Sequence, residues 1–170
     1  MGITPLDGLI MGTRSGCIDA SAVTYLQQHE GWTPEETSEF LNKKCGLLGV
    51  SGFSSDMRDN IDARDKGDQN AKLATDMLFY QIRKFIGSYV AALNGVDAII
   101  FAGGIGENSI PTREAVVSEL GWLGIKLDKK ANKIRGQVAV ISTKASKIPV
   151  VIIPTNEELM IAKDTVSVLG

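Results

Sequence analysis

Histidine and cysteine are scarce in this 170-residue chain, which has one histidine, His29, and two cysteines, Cys17 and Cys45. A zinc site of His and Cys ligands would need nearly all of them together, and their spacings match no ligand pattern. A Ser-His-Asp or Cys-His dyad would have to use His29. That residue closes the polar end of a helical stretch, Leu26-Gln27-Gln28-His29-Glu30, and reads as a solvated or helix-terminal histidine. Long apolar runs are also missing: the longest stretch without an acidic or basic residue is 85–96, 12 residues, far short of a bilayer span. The first residues offer no basic segment before an apolar core, and Leu6 stands where a myristoylation motif needs Ser or Thr. A cytoplasmic protein without membrane attachment is expected. Charge of one sign is lacking as well, with 18 basic against 20 acidic residues and a net charge of −2. That balance gives no electrostatic footing for nucleic acid or an anionic membrane. Chemistry here must run on Arg, Asp, Glu, Asn and backbone groups.

The rest of the composition is globular, at 44% hydrophobic and 22% charged residues. The length suits one domain and buries roughly two thirds of the unfolded surface without disulfides. No repeat, low-complexity tract or proline-rich linker marks an internal boundary. Glycine is plentiful at 18 residues, and its placement carries most of the information. The first third reads as short helices joined by glycine turns. Thr33-Pro34-Glu35-Glu36 is a capping box that opens a helix to about Lys44, and Gly46, Gly49 and Gly52 break residues 45–52 into a loop. A long helix is predicted over 68–93, with Leu78, Ile82, Phe85, Ile86, Tyr89 and Leu93 on one stripe and Met77 and Phe79 widening it. The second half alternates strands at 97–101, 138–141 and 150–153 with helices at 109–119 and 157–168, an α/β pattern.

Four segments are candidates for function. Gly12-Thr13-Arg14-Ser15-Gly16 sets an arginine between glycines, and a guanidinium fork suits phosphate or carboxylate. Ser54-Ser55-Asp56-Met57-Arg58-Asp59 could contact a ligand through Asp56 and Arg58, or Ser55 or Asp56 could simply cap a helix. Gly103-Gly104-Ile105-Gly106-Glu107-Asn108 is a glycine turn between a strand and a helix, where backbone can approach a bulky ligand; it matches neither common nucleotide fingerprint. Pro154-Thr155-Asn156-Glu157-Glu158 lies at the carboxyl end of a strand, where ligands gather in α/β sheets. There Thr155 and Glu158 have capping-box spacing, which leaves Glu157 as the functional candidate, a ligand to Mg²⁺ through water. Lys129, Lys130, Lys133 and Arg135 have helical spacing and read as a solvated helix face.

In this order, and with Met1-Gly2-Ile3-Thr4-Pro5-Leu6-Asp7-Gly8-Leu9 and Gly46-Leu47-Leu48-Gly49-Val50-Ser51-Gly52 added, the segments resemble the acetate kinase family across essentially the whole chain. The resemblance is to the family's C-terminal nucleotide-binding domain plus a short lead-in; the first half, with its glycine-rich phosphate loop and carboxylate site, has no counterpart here. It implies an α/β domain of the sugar kinase, chaperone ATPase and actin superfamily, with a mixed sheet flanked by helices, residues 1–52 as helical lead-in and 53–170 as core. Arg14 falls on the family's catalytic arginine. Asp56, Met57 and Arg58 fall on a nucleotide-binding segment, Gly104, Ile105, Gly106, Glu107 and Asn108 on the adenosine loop, and Glu157 on the metal-associated glutamate. Cys17 and Ala20 depart from the Asp and Pro common in the family.

The implied partners are ATP or ADP with Mg²⁺, a short-chain carboxylate in the intact enzyme only, and a second copy in a homodimer. The implied reaction is ATP + acetate ⇌ ADP + acetyl phosphate, with the isolated chain expected inactive. The alternative is a free-standing, non-catalytic module for nucleotide binding or dimerisation. Nothing in the residues chooses between acetate, propionate and butyrate.

Overall fold

A computed structural model describes residues 2–169. The chain divides into two compact units, residues 1–92 and 93–170.

The first unit is helical. α1 (Ala20–Glu30) is N-capped by Asp19, carries the exposed His29 in its last turn as expected, and stops at Gly31. α2 (Pro34–Lys43) begins with the capping box read from the sequence: the Thr33 hydroxyl accepts from Glu36 N, and the Glu36 carboxylate accepts from Thr33 N. α3 (Gly46–Ser51) replaces the expected glycine loop. Its first turn is held from outside, because Leu47 N and Leu48 N donate to the carbonyls of Met11 and Gly12 at 2.8 and 2.9 Å. Tertiary hydrogen bonds and the burial of Leu47 thus outweigh the poor helix propensity of the two glycines in it, and Gly52 stops it in left-handed geometry. α4 (Met57–Asp65) comes next, and α5 (Gln69–Ala92) is the long helix, packed on α3 and α4. Ala71, Ala74, Thr75, Leu78 and Phe79 form its buried face. The predicted stripe continues this face but loses cover along it, with Ile82, Phe85 and Ile86 half-buried and Tyr89 exposed.

The second unit is α/β. β1 (Ile99–Phe101), β2 (Ala139–Val140) and β3 (Val150–Ile152) form a sheet in the order β1-β3-β2, with β1 parallel and β2 antiparallel to β3. Register sets Phe101 beside Ile152 and Ile100 beside Val151, so side chains alternate between faces. Phe101, Val150 and Ile152 are buried with Val116, Val117, Leu120, Ile125 and Ile141. On the opposite face Ile100 and Val140 remain 56% and 57% exposed.

Between the parallel strands run α6 (Gly103–Asn108), α7 (Ile110–Val117) and a 3-10 turn (Ser118–Leu123). The expected glycine turn is therefore a short helix. The helix expected to reach residue 119 leaves α geometry after Val117, where Leu120 departs from helical angles as its side chain enters the core. The basic run at 129–135 is exposed as expected, but it lies in turns and not on a helix. Asn132 explains this: it is buried and hydrogen-bonded, which pins the segment through one side chain. α8 (Glu157–Leu169) closes the unit with no buried residue. No helix among the described residues is long and apolar enough to cross a membrane.

Candidate nucleotide site

In the first unit the Arg14 segment is gripped by backbone. Ser15 N donates to Leu41 O at 2.9 Å, Cys45 N to Thr13 O at 3.0 Å, and Met11 N to Arg14 O at 3.1 Å. Two glycines permit the close packing. Gly46 has φ +69°, and a Cβ there would strike the Met11 carbonyl and lie 2.8 Å from Gly12 O. A Cβ on Gly12 would meet Ser55 O at 2.8 Å, so this contact sets the Arg14 segment directly against the start of the Asp56 segment. The Arg14 guanidinium donates to the Pro5 carbonyl at 2.8 Å, and among the described residues it has no carboxylate partner.

Asp56 is the N-cap of α4, accepting from Arg58 N at 2.7 Å and from Arg58 Nε at 3.0 Å. The Arg58 side chain holds the Asp56 carboxyl down to about 2. Arg58 itself is well exposed, whereas Met57 is buried. Asn60, fully buried beneath this turn, donates to Ser54 O and Asp56 O at 2.9 and 2.8 Å. Sequence reading missed it, since an Asn in a charged helix carries no mark of burial.

In the second unit two side chains build the candidate loop. Arg113 is 0% exposed, and all five of its N–H bonds are used. Nε donates to Asn132 Oδ1 at 2.8 Å, one terminal nitrogen to Gly106 O and Glu107 O at 2.9 and 2.8 Å, and the other to Asn132 O and Ile134 O at 2.9 and 2.7 Å. Burial, and secondarily the charge of Arg135, lower its pKa from the ordinary arginine value. The sequence did hold a signal for Arg113: it lies three and four residues before Val116 and Val117, a charge on an apolar helix face.

Glu107 works through its carboxylate. Oε1 accepts from Gly103 N at 2.8 Å, Thr155 N at 2.8 Å and Thr155 Oγ1 at 3.1 Å. These donors, the Thr155 N–H above all, hold the carboxyl below the usual glutamate range. The Thr155 N–H is thus committed to Glu107, and the Thr155/Glu158 capping box does not form. Asn156 caps the helix instead, its Oδ1 accepting from Leu159 N at 3.1 Å. Ile153 N donates to Phe101 O at 3.0 Å, so the 103–108 and 154–157 segments leave adjacent strand ends. Glu157 is exposed at the first position of α8, and a Cβ on Gly104 would find no heavy atom within 4 Å. Among the described residues no three His, Cys, Asp or Glu side chains cluster as a metal cage.

The geometry has clear relatives. The model of the acetokinase family matches residues 1–163. The acetate kinase of Desulfitobacterium hafniense is 55% identical over 169 residues, and that of Bacteroides thetaiotaomicron is 54% identical over 170. Among solved structures, an acetate kinase from Porphyromonas gingivalis superposes with a TM-score of 0.93 at 47% identity, covering 100% of this chain and 43% of that one. A propionate kinase from Francisella tularensis gives 0.87 at 45% identity, covering 95% of this chain and 41% of that one. The fold is thus the one these kinases share. The match takes in 99% of this chain but only 42% of the Desulfitobacterium relative and 43% of the Bacteroides one. On the family match and these identities, the chain belongs to the acetokinase family.

Proposed function

We propose that this chain is the nucleotide-binding C-terminal part of a cytoplasmic kinase that moves a phosphoryl group between ATP and a short-chain carboxylate, acetate first among them. The family match over residues 1–163 carries the reading. In the second unit Gly104–Asn108 takes the nucleoside against its backbone; in the first, Asp56, Met57 and Arg58 are the residues that the resemblance assigns to nucleotide binding. The guanidinium of Arg14 stabilises charge on the transferring phosphoryl, the main catalytic requirement of such a transfer. Mg²⁺ keeps most of its waters and binds through one or two carboxylates plus phosphate oxygens, so a single exposed carboxylate such as Glu157 suits it. When bound with nucleotide, the ion neutralises phosphate charge.

We further place a second copy of the chain on α5. Besides its buried face, α5 exposes Leu73 and Tyr80, seven residues apart on another side, and one apolar stripe suffices for a helix at a monomer surface. Sedimentation equilibrium at micromolar concentration tests this; a single species at the 18.2 kDa chain mass would exclude the homodimer.

The isolated chain is expected to bind ADP with a Kd of roughly 0.1–10 mM, reflecting the loss of about half the usual contacts. It should make no acetyl phosphate, because transfer needs donor and acceptor held in line. In an ADP titration followed by amide NMR, residues 103–108 should shift. Gly104→Val should abolish those shifts, its side chain occupying space that the fold leaves open. Equal shifts in the variant would remove the loop from the site, and acetyl phosphate from the purified chain would overturn the expected inactivity.

A further inference from the structure

We propose that Glu107 is a positioning residue that couples the nucleotide loop to the turn bearing Glu157. The inference rests on the nucleotide reading of the 103–108 segment.

One carboxylate oxygen of Glu107 collects Gly103 N, Thr155 N and Thr155 Oγ1, the last two 48 residues away in sequence. The same residue's carbonyl is held from the other side by the buried Arg113. Glu107 is therefore fixed at backbone and side chain alike. A carboxylate accepting from N–H groups makes charge-assisted bonds, roughly twice as strong as neutral ones. Its three donors lie at the start of α6 and in the turn before α8, on strand ends already joined by the bond from Ile153 N to Phe101 O. A ligand that moves the start of α6 must then move Thr155, Asn156 and Glu157, or break these bonds. Glu107 acts through these neighbours, and the reacting groups lie elsewhere.

The test uses the ¹⁵N-labelled 170-residue chain and two readouts. Without nucleotide, Glu107→Ala should raise amide exchange at Gly103 and Thr155 together, by about tenfold, and Glu107→Gln by less, because a neutral amide oxygen still accepts. Thr155→Val, which keeps its N–H but loses the hydroxyl, should raise exchange at Gly103 by about twofold. With ADP, the unsubstituted chain should show shifts at 155–157 as well as at 103–108. In Thr155→Val, which leaves the 103–108 segment unsubstituted, those at 155–157 should weaken while Gly104 and Gly106 still shift. Unchanged exchange at Thr155 in Glu107→Ala overturns the bracket, as does an undiminished response at 155–157 in Thr155→Val. If Glu107→Ala does not fold, Thr155→Val decides, and unchanged exchange at Gly103 overturns the proposal. ADP shifts absent from 103–108 in the unsubstituted chain would instead overturn the nucleotide reading and the coupling built on it. The bracket itself would then stand or fall on exchange alone.

Discussion

The Arg14 segment of the first unit and the 103–108 segment of the second are secured by opposite means. In the first, main chain holds main chain: the Arg14 segment is stitched to its neighbours through amides and carbonyls, and Gly12 and Gly46 let the strands of chain come close enough. In the second, side chains hold main chain: Arg113 ties the carbonyls of Gly106 and Glu107 to those of Asn132 and Ile134, and Glu107, within the 103–108 helix, binds Thr155, 48 residues on. Backbone stitching tolerates many side chains but no Cβ at the crossing points. A side-chain clamp tolerates its surroundings but depends on one residue. Substitutions at the two kinds of support should therefore fail differently.

Arg113→Ala should be the most damaging, because it strands five acceptors in a buried place. A loss of about 3–5 kcal/mol is expected, seen as a collapse of amide-exchange protection in residues 93–169. Preserved protection there would mean the clamp is dispensable. Gly46→Ala should come next, at about 2–4 kcal/mol, combining left-handed backbone strain with overlap against the Met11 carbonyl. Its effect should concentrate in residues 8–16 and 45–52, and a neutral urea midpoint would refute the close-approach argument.

Asp56 gives a smaller, pH-dependent effect. Its folded pKa of about 2 lies below the ordinary aspartate value of about 3.9, so its cap is fully effective above that value and is lost as pH falls through 2. Asp56→Ala should cost about 0.5–2 kcal/mol at neutral pH, and the gap to the unsubstituted chain should close in acid. A gap that persists at pH 2 would assign the effect to packing. The smallest contrast is at α8, where Asn156→Ala should cost about 0.5–2 kcal/mol and Glu158→Ala less than about 0.5. The reverse order would restore the capping box that the geometry rejects.

Much of this fold was readable locally. The Thr33 capping box, the long helix, the three strands and the final helix all announce themselves within a turn or two of chain, because caps and periodicity act over three or four residues. The motifs that place the chain in its family are equally local, since each is a short run of consecutive residues. What stayed hidden was settled by contacts distant in sequence. Glycine-rich 45–52 and 103–108 read as loops from propensity, yet both form short helices, because outside partners hold their backbone groups: the Met11 and Gly12 carbonyls for the first and Arg113 for the second. The Thr155 N–H had two carboxylates to choose from, Glu158 by capping-box spacing and Glu107 by the pairing of β1 with β3, and only the folded sheet decides between them. The sequence by itself determined the order of elements and the residue types offered to a ligand. The tertiary structure alone decided which side chains hold those residues in place, because hydrogen bonds spanning 19 to 48 residues depend on where the folded sheet and helices bring distant segments together.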